Sequence, residues 1–179
     1  MNTKLIRNLS IIGAVFIVFF GSALHFVYDW TGHNYIVGFF APVNESVWEH
    51  MKLAFTPLLL FTFVEYTYYG RKIHNFDFVR VIEMLFPIVF IILFFYIYRM
   101  FTGESLFLDI LSFILAVVFA KMIGYKIIKS KFSFAGGEIL SALLIVCLAI
   151  FFAIATVNPP KNNIFLDPVT DTYGINQLE

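Results

Sequence analysis

This sequence contains little cysteine and little charge, and each shortage excludes a class of protein. Cys147 is the only cysteine among 179 residues, so the fold does not depend on a disulfide within the chain. Its apolar neighbours predict a buried, inert thiol. Charged residues make up 13% of the chain, about half of their share in soluble domains. The formal net charge is zero, which argues against nucleic acid as a partner.

Apolar side chains take the place of the missing charge. Hydrophobic residues form 60% of the chain, 24 of them are Phe, and the mean hydropathy is +0.86. Lipid accepts such side chains on the outer surface of a protein, whereas water does not. No apolar run alternates in the way that barrel strands require. The sequence therefore predicts an all-α, polytopic membrane helix bundle with membrane lipids as partners.

Five apolar stretches reach or approach the roughly 20 residues that a helix needs to cross a bilayer. We predict these spans at 9–29, 50–69, 81–101, 106–125 and 138–157. The apolar stretch 36–40 is too short to span, and we expect an interfacial or re-entrant segment there. Residues 1–157 are interpreted as one transmembrane domain and 158–179 as a C-terminal tail that folds back over the outer mouth. Lys4 and Arg7 before the first stretch also fit a signal peptide, but we interpret that stretch as a retained helix.

The positive charges gather on one side of these five spans. With a cytoplasmic N-terminus, nine of the 12 Lys and Arg residues fall on the cytoplasmic side, and the other three are Lys52, Arg99 and Lys161. The positive-inside rule then predicts that the N-terminus is inside and the C-terminus outside, in a multi-pass protein of the cell membrane. The outer side has an excess of acidic residues, which favours cations as ligands.

The polar segment Pro42-Val-Asn-Glu-Ser-Val-Trp-Glu-His50 stands at the start of the second span. Ser46 followed three residues later by Glu49 is the pattern of a helix capping box, and Asn44 is an alternative cap. His25 and Asp29 are four residues apart, so they share one face at the end of the first span. If these two helix ends meet, imidazoles and carboxylates converge.

Imidazole and carboxylate groups are the ligands of zinc and similar divalent ions. We predict His25, Asp29 and His50 as metal ligands, with Glu49 or Ser46 positioning a metal-bound water or a substrate. The further members of this polar site are Asn44, Glu45, His33 and, from the tail, Asp167. The alternative is a hydrogen-bonded network that only joins the first two helices.

Three functions follow from this site. The first is binding of a divalent metal or a small cationic ligand, which we favour. The second is a zinc-dependent membrane hydrolase that acts on lipid, ester or amide substrates. The third is a small transporter subunit, for which the later spans offer few polar residues. The sequence leaves open whether the protein is an enzyme.

Charged residues also occur inside the other spans. Glu65 is expected to pair with Arg80, since unpaired charges in a membrane are costly. Asp109 and Lys121 are twelve residues apart, or roughly 18 Å along a helix, so they are too distant to pair. We expect each of them to face the headgroups on its own side.

Two resemblances concern these segments. Residues 21–57, with His25-Phe-Val-Tyr-Asp29-Trp and the polar segment, and the tail sequence Phe165-Leu-Asp-Pro-Val-Thr-Asp-Thr-Tyr-Gly174 resemble a family of small bacterial multi-spanning proteins classed only as a domain of unknown function. That resemblance implies a location in the bacterial cytoplasmic membrane and no chemistry. Ser46-x-x-x-His50 is similar to one motif of the alkaline ceramidase and adiponectin-receptor-like metallohydrolases, which bind zinc through three histidines. Those proteins have seven spans and a late His-x-x-x-His pair, whereas beyond the second span this chain has only His74.

Overall fold

A computed structural model describes residues 3–130, 132 and 137–175. Over these residues the chain is all-helical, and its only β-type pairing is an isolated antiparallel bridge between Leu166 and Tyr173. The helices are α1 Thr3–Trp30, α2 Tyr35–Gly38, α3 Val47–His50, α4 Lys52–Tyr68, α5 Phe76–Thr102, α6 Leu106–Lys129 and α7 Gly137–Val157. A 3-10 turn at Gly70–Lys72 precedes α5.

Four of these helices are long and apolar enough to cross a membrane. They are α1, α5, α6 and α7, with 28, 27, 24 and 21 residues. Helix α4 has 17 residues, because the chain first makes the short helix α3 and then turns at Met51. The prediction of an all-α fold is confirmed for the described residues. Four of the five predicted spans coincide with these helices, whose length and composition fit a membrane protein.

Apolar side chains cover the outside of the bundle as they cover its core. Phe19, Phe101 and Ile139 are more than 70% exposed, as expected of residues that contact lipid. The prediction of a buried thiol was wrong, since Cys147 is exposed on α7. Helix α7 contributes only part of its surface to the core, and Cys147 lies on the remainder.

Helix α1 packs against α4 and α6, and α5 packs against α6 and α7. Two glycines of α1 permit this close packing. A Cβ atom on Gly21 would lie 2.2 Å from the carbonyl oxygen of Leu53, and one on Gly13 would lie 2.6 Å from the Phe61 ring. Helices α1, α5 and α7 end at one end of the bundle, and α4 and α6 begin there. We call this the site end.

The opposite end of the bundle contains four buried charges. Glu65 pairs with Arg80 as predicted, and Glu83 and Lys121 complete the cluster. The expectation that Lys121 faces the headgroups was wrong. Its side chain is 3% exposed, because its face of α6 is turned towards α4 and α5.

Residues 158–175 return to the site end after α7. The backbone N–H of Trp48 donates to the carbonyl of Ile164 (3.0 Å), and that of Ile175 donates to the carbonyl of Thr156 (2.8 Å). Phe165 is buried against Trp48, with ring centroids 4.8 Å apart. The tail therefore packs on α3 and on the end of α7.

Candidate metal centre

The loop between α2 and α4 is built from side-chain caps. The Ser46 hydroxyl accepts from the backbone N–H of Glu49 (3.3 Å) and so caps α3. Only this half of the expected capping box forms, because the Glu49 carboxylate accepts instead from the Val43 backbone N–H (3.0 Å) and from the Lys52 ammonium (2.6 Å). Lys52 also donates to the carbonyl of Gly38 (2.7 Å). This buried pair therefore fixes the loop onto the start of α4.

Asn44 ties the same loop to the tail. Its side-chain oxygen accepts from the backbone N–H of Ser46 (3.0 Å), and its amide donates to the carbonyl of Gly174 (3.1 Å). Glu45 lies between Asn44 and Ser46, so the bond from the Ser46 N–H to the Asn44 side chain fixes the backbone position of Glu45.

Three ionisable side chains converge at the site end. One nitrogen from each of His25 and His50 and one carboxylate oxygen of Glu45 lie within 4.8 Å of one another. The Glu45 oxygen is 3.4 Å from His50 Nε2 and 3.9 Å from His25 Nε2. The two imidazole rings are nearly perpendicular, with centroids 5.0 Å apart. All three side chains are between 30% and 48% exposed, so the group is open to solvent on one side.

The hydrogen bond of His50 determines what its second nitrogen offers. His50 Nδ1 lies 2.9 Å from the carbonyl oxygen of Ser46, and because a carbonyl only accepts, Nδ1 is the donor. In the neutral ring, Nε2 then presents a lone pair towards the Glu45 carboxylate. Two acceptors 3.4 Å apart are stabilised by a cation between them, and a proton on Nε2 or a metal ion can supply that charge. Histidines that bind metals in proteins usually make this type of bond through their other nitrogen.

The electrostatics of the group also favour a positive charge. The hydrogen bond with His50 lowers the pKa of the Glu45 carboxyl; burial opposes this, and the charges of His50 and His25 add to it. Burial acts to lower the pKa of His50. The bonds to Glu45 and to the Ser46 carbonyl and the charges of Glu45 and Asp109 outweigh burial, so the pKa of His50 is raised.

The structure places the other predicted site residues outside this group. The Asp29 carboxylate pairs with His33 at 3.1 Å, on the exposed surface beyond the end of α1. Asp167 is buried in the tail, where its carboxylate accepts from the Val169 backbone N–H (2.9 Å) and from the Thr170 hydroxyl (2.6 Å). Both carboxylates are engaged away from the two imidazoles.

Sequence reasoning gave Glu45 a secondary place and missed Lys52 as a partner of Glu49. Glu45 is five residues before His50, a spacing that no helix pattern brings together, so no local signal marked it as a partner of the imidazoles. Lys52 follows Glu49 by three residues, and that spacing is a signal that points to an ion pair. Asp109 lies in the first turn of α6, and its carboxylate accepts from the Tyr98 hydroxyl at 2.5 Å, a bond that the sequence did not predict.

Comparison with known proteins places the chain in a family without assigned chemistry. A family model described as "Family of unknown function (DUF6512)" matches residues 1–175. No curated protein and no solved structure matches the chain. The chemistry of the site is therefore argued from its own residues.

Proposed function

The chain belongs to this family of unknown function, and we propose that it is a multi-pass membrane protein that binds a divalent metal ion between His25, Glu45 and His50. The convergence of two imidazoles and one carboxylate carries the proposal. Zinc takes nitrogen and oxygen ligands of this kind and accepts three protein ligands with water in the fourth position. The half-exposed side of the group leaves room for that water.

The distances in the group are close to those of a metal site. Zinc bonds of about 2.0–2.1 Å place the ligand atoms of a tetrahedron about 3.4 Å apart. The Glu45 oxygen lies at 3.4 and 3.9 Å from the two imidazole nitrogens, and the three ligand atoms lie within 4.8 Å of one another. Side-chain rotations that bring these atoms closer by up to about 1.4 Å would complete the geometry. The Glu45 carboxylate would also attract a small cationic amine, and an excess of amine in a binding experiment would reveal this by competition with the metal.

We place the site on the extracytoplasmic side, with five spans and a cytoplasmic N-terminus, and α4 as the second and shortest span. The distribution of Lys and Arg supports this orientation. Arg80, Lys121 and Lys52 are buried and do not report on the loops. Without them the count is seven residues on the inner side and two on the outer side, which strengthens the bias. Reporter fusions at residue 103 and after residue 175 test this topology, and both should report the outer side.

Metal content and affinity test the proposed site directly. The purified full-length protein should bind about one equivalent of Zn²⁺, and His25→Ala, His50→Ala and Glu45→Gln should each lose most of that affinity. His33→Ala is the matched control, because His33 is an exposed histidine near the same end that pairs with Asp29 instead. Zinc affinity in the three variants equal to that of the parent would overturn the proposal.

A zinc-dependent hydrolase is the second candidate, and the open side of the group favours it. Catalytic zinc sites keep three protein ligands and one position for water or substrate. The exposed rings of Phe26 and Trp30 stack on each other beside His25, so a lipid substrate would reach the site from the bilayer. Turnover of lipid esters or amides that requires Zn²⁺ and is lost in His50→Ala would establish this function. The absence of turnover in a protein that binds zinc would leave a binding protein.

A further inference from the structure

A second carboxylate stands at the site end on helix α6. Asp109 lies in the first turn of α6 and is half-buried. Its carboxylate accepts from the Tyr98 hydroxyl of α5 at 2.5 Å. It does not belong to the close group of His25, Glu45 and His50. Asp109 would therefore act on an ion in that group without binding it directly.

The packing of α1 against α6 sets the level of Asp109. A Cβ atom on Gly21 would lie 2.9 Å from the Phe113 ring, and one on Gly13 would lie 3.2 Å from Cε of Lys121. Gly13 lies eight residues before Gly21 on α1, whereas Lys121 lies eight residues after Phe113 on α6. The two helices therefore run antiparallel with one register. One turn further towards the site end, this register brings Asp109 to the level of His25.

His50 stands at the same level. The carbonyl of Leu53 contacts the position of Gly21, and His50 precedes Leu53 by about one turn. The His50 ring meets the His25 ring, with centroids 5.0 Å apart. Asp109 shares a face of α6 with Phe113, and His25 shares a face of α1 with Gly21, so Asp109 stands on the α1 side of α6 at the level of the two imidazoles.

We infer that Asp109 is the fourth polar group of this site and that it holds the water on a divalent ion bound by His25, Glu45 and His50, while Tyr98 fixes its orientation. The inference rests on the proposed function. A carboxylate accepts up to about four hydrogen bonds, and the Tyr98 hydroxyl uses one of them. Asp109 is a positioning residue, because it acts on the ion through the bound water.

Charge balance supports this role. A divalent ion with two neutral imidazoles and one carboxylate has a net charge of plus one, and the charge of Asp109 reduces it to zero. In a half-buried site next to lipid, a neutral assembly is favoured over a charged one. Carboxylates outside the ligand set commonly tune metal sites in this way, and their loss typically lowers metal affinity 10- to 100-fold.

Titration of the full-length protein with Co²⁺ tests the inference, because the visible spectrum of Co²⁺ reports its direct ligands. Asp109→Asn should weaken Co²⁺ binding about 10-fold and leave the shape of the spectrum unchanged. Tyr98→Phe should weaken binding in the same direction. Glu104→Gln is the matched control, since it removes one carboxylate from the same end of the bundle. Glu104 is 78% exposed and pairs with Arg99 at 3.2 Å.

A measurement without metal separates the two proposals. The ring resonances of His25 and His50 in the metal-free protein should move in Asp109→Asn and stay in place in Glu104→Gln. If the parent binds no Co²⁺, the proposed function fails and the water-holding role fails with it. If the parent binds Co²⁺ and Asp109→Asn binds it equally well, only the present inference is overturned. A changed Co²⁺ spectrum in Asp109→Asn also overturns it, because Asp109 would then be a direct ligand.

Discussion

The ammonium of Lys121 donates to both carboxylate oxygens of Glu65, at 2.8 and 2.7 Å, although 56 positions separate the two residues. Arg80 and Glu83 join this pair, and all four side chains are at most 3% exposed. Two carboxylates and two cations make the cluster neutral. Charges buried in a membrane protein are tolerated when they pair in this way, so the cluster joins α4, α5 and α6 at the end opposite the site.

Removal of one charge from this cluster should strongly destabilise the fold. In Lys121→Met, two buried carboxylates share only Arg80. Breaking a buried pair in this way typically costs about 3–5 kcal/mol. Unfolding of the detergent-solubilised protein by heat or denaturant measures the loss. Lys126→Met, at an exposed position of the same helix, should change the stability by less than about 0.5 kcal/mol; equal effects of the two changes would contradict a paired cluster.

Gly124 should not tolerate a methyl group. A Cβ atom there would lie 1.8 Å from the Glu83 carboxylate oxygen, so Gly124→Ala must displace Glu83 from the cluster. Glycine to alanine inside a helix is otherwise stabilising by up to about 1 kcal/mol. A decrease in the unfolding free energy of Gly124→Ala is therefore expected, although helix propensity alone would increase it. A more stable Gly124→Ala variant would show that Glu83 does not occupy this place.

Phe165 should contribute strongly to the attachment of the tail. Its ring is 7% exposed and contacts Trp48. Truncation of a buried Phe to Ala costs about 3–5 kcal/mol in protein cores, and here the loss should appear as faster proteolysis of the tail and a lower melting temperature. Val169→Ala is the control, because Val169 lies in the same tail and is 75% exposed. A similar response of both variants would mean that the tail is not docked on α3.

The pKa of His50 in the metal-free protein should lie above its ordinary value of 6.5, and Glu45→Gln should lower it. The charged and titratable groups that face His50 are Glu45, His25 and Asp109. The raised pKa contributes stability that is fully present below pH 6.5 and is lost as the pH rises through the folded-state pKa. The lowered pKa of Glu45 contributes stability above its ordinary value of 4.5 that is lost as the pH falls through the folded-state pKa.

NMR titration of the histidine ring protons checks this prediction. Asp29→Asn provides the control, because Asp29 pairs with His33 and its loss should move the His33 resonances and not those of His50. A pKa of His50 that is the same in the parent and in Glu45→Gln would show that His50 and Glu45 do not form an ion pair. Zn²⁺ competes with the proton on Nε2, so zinc affinity should rise with pH through the same range.

The architecture followed from the sequence because hydropathy is a local sum. A run of about 20 apolar residues in lipid has to satisfy its backbone hydrogen bonds internally, and a helix does so. This holds for α1, α5, α6 and α7 whatever their neighbours are. The Ser46 cap and the pair of Glu65 with Arg80 were also predictable, because a short spacing or the cost of a buried charge pointed to each.

The tertiary structure alone decided which carboxylate meets His25 and His50, and that Lys121 joins Glu65. His25 and Asp29 lie on one face of α1 by helical periodicity, yet Asp29 pairs with His33 and Glu45 takes the position between the imidazoles. Lys121 was expected at the headgroups and is buried with Glu65. The reason is that the rotation of one helix about its axis relative to the next depends on close contacts such as Gly21 with Leu53 and Gly124 with Glu83. Such contacts form only when distant segments pack together, and no local pattern in the sequence encodes them.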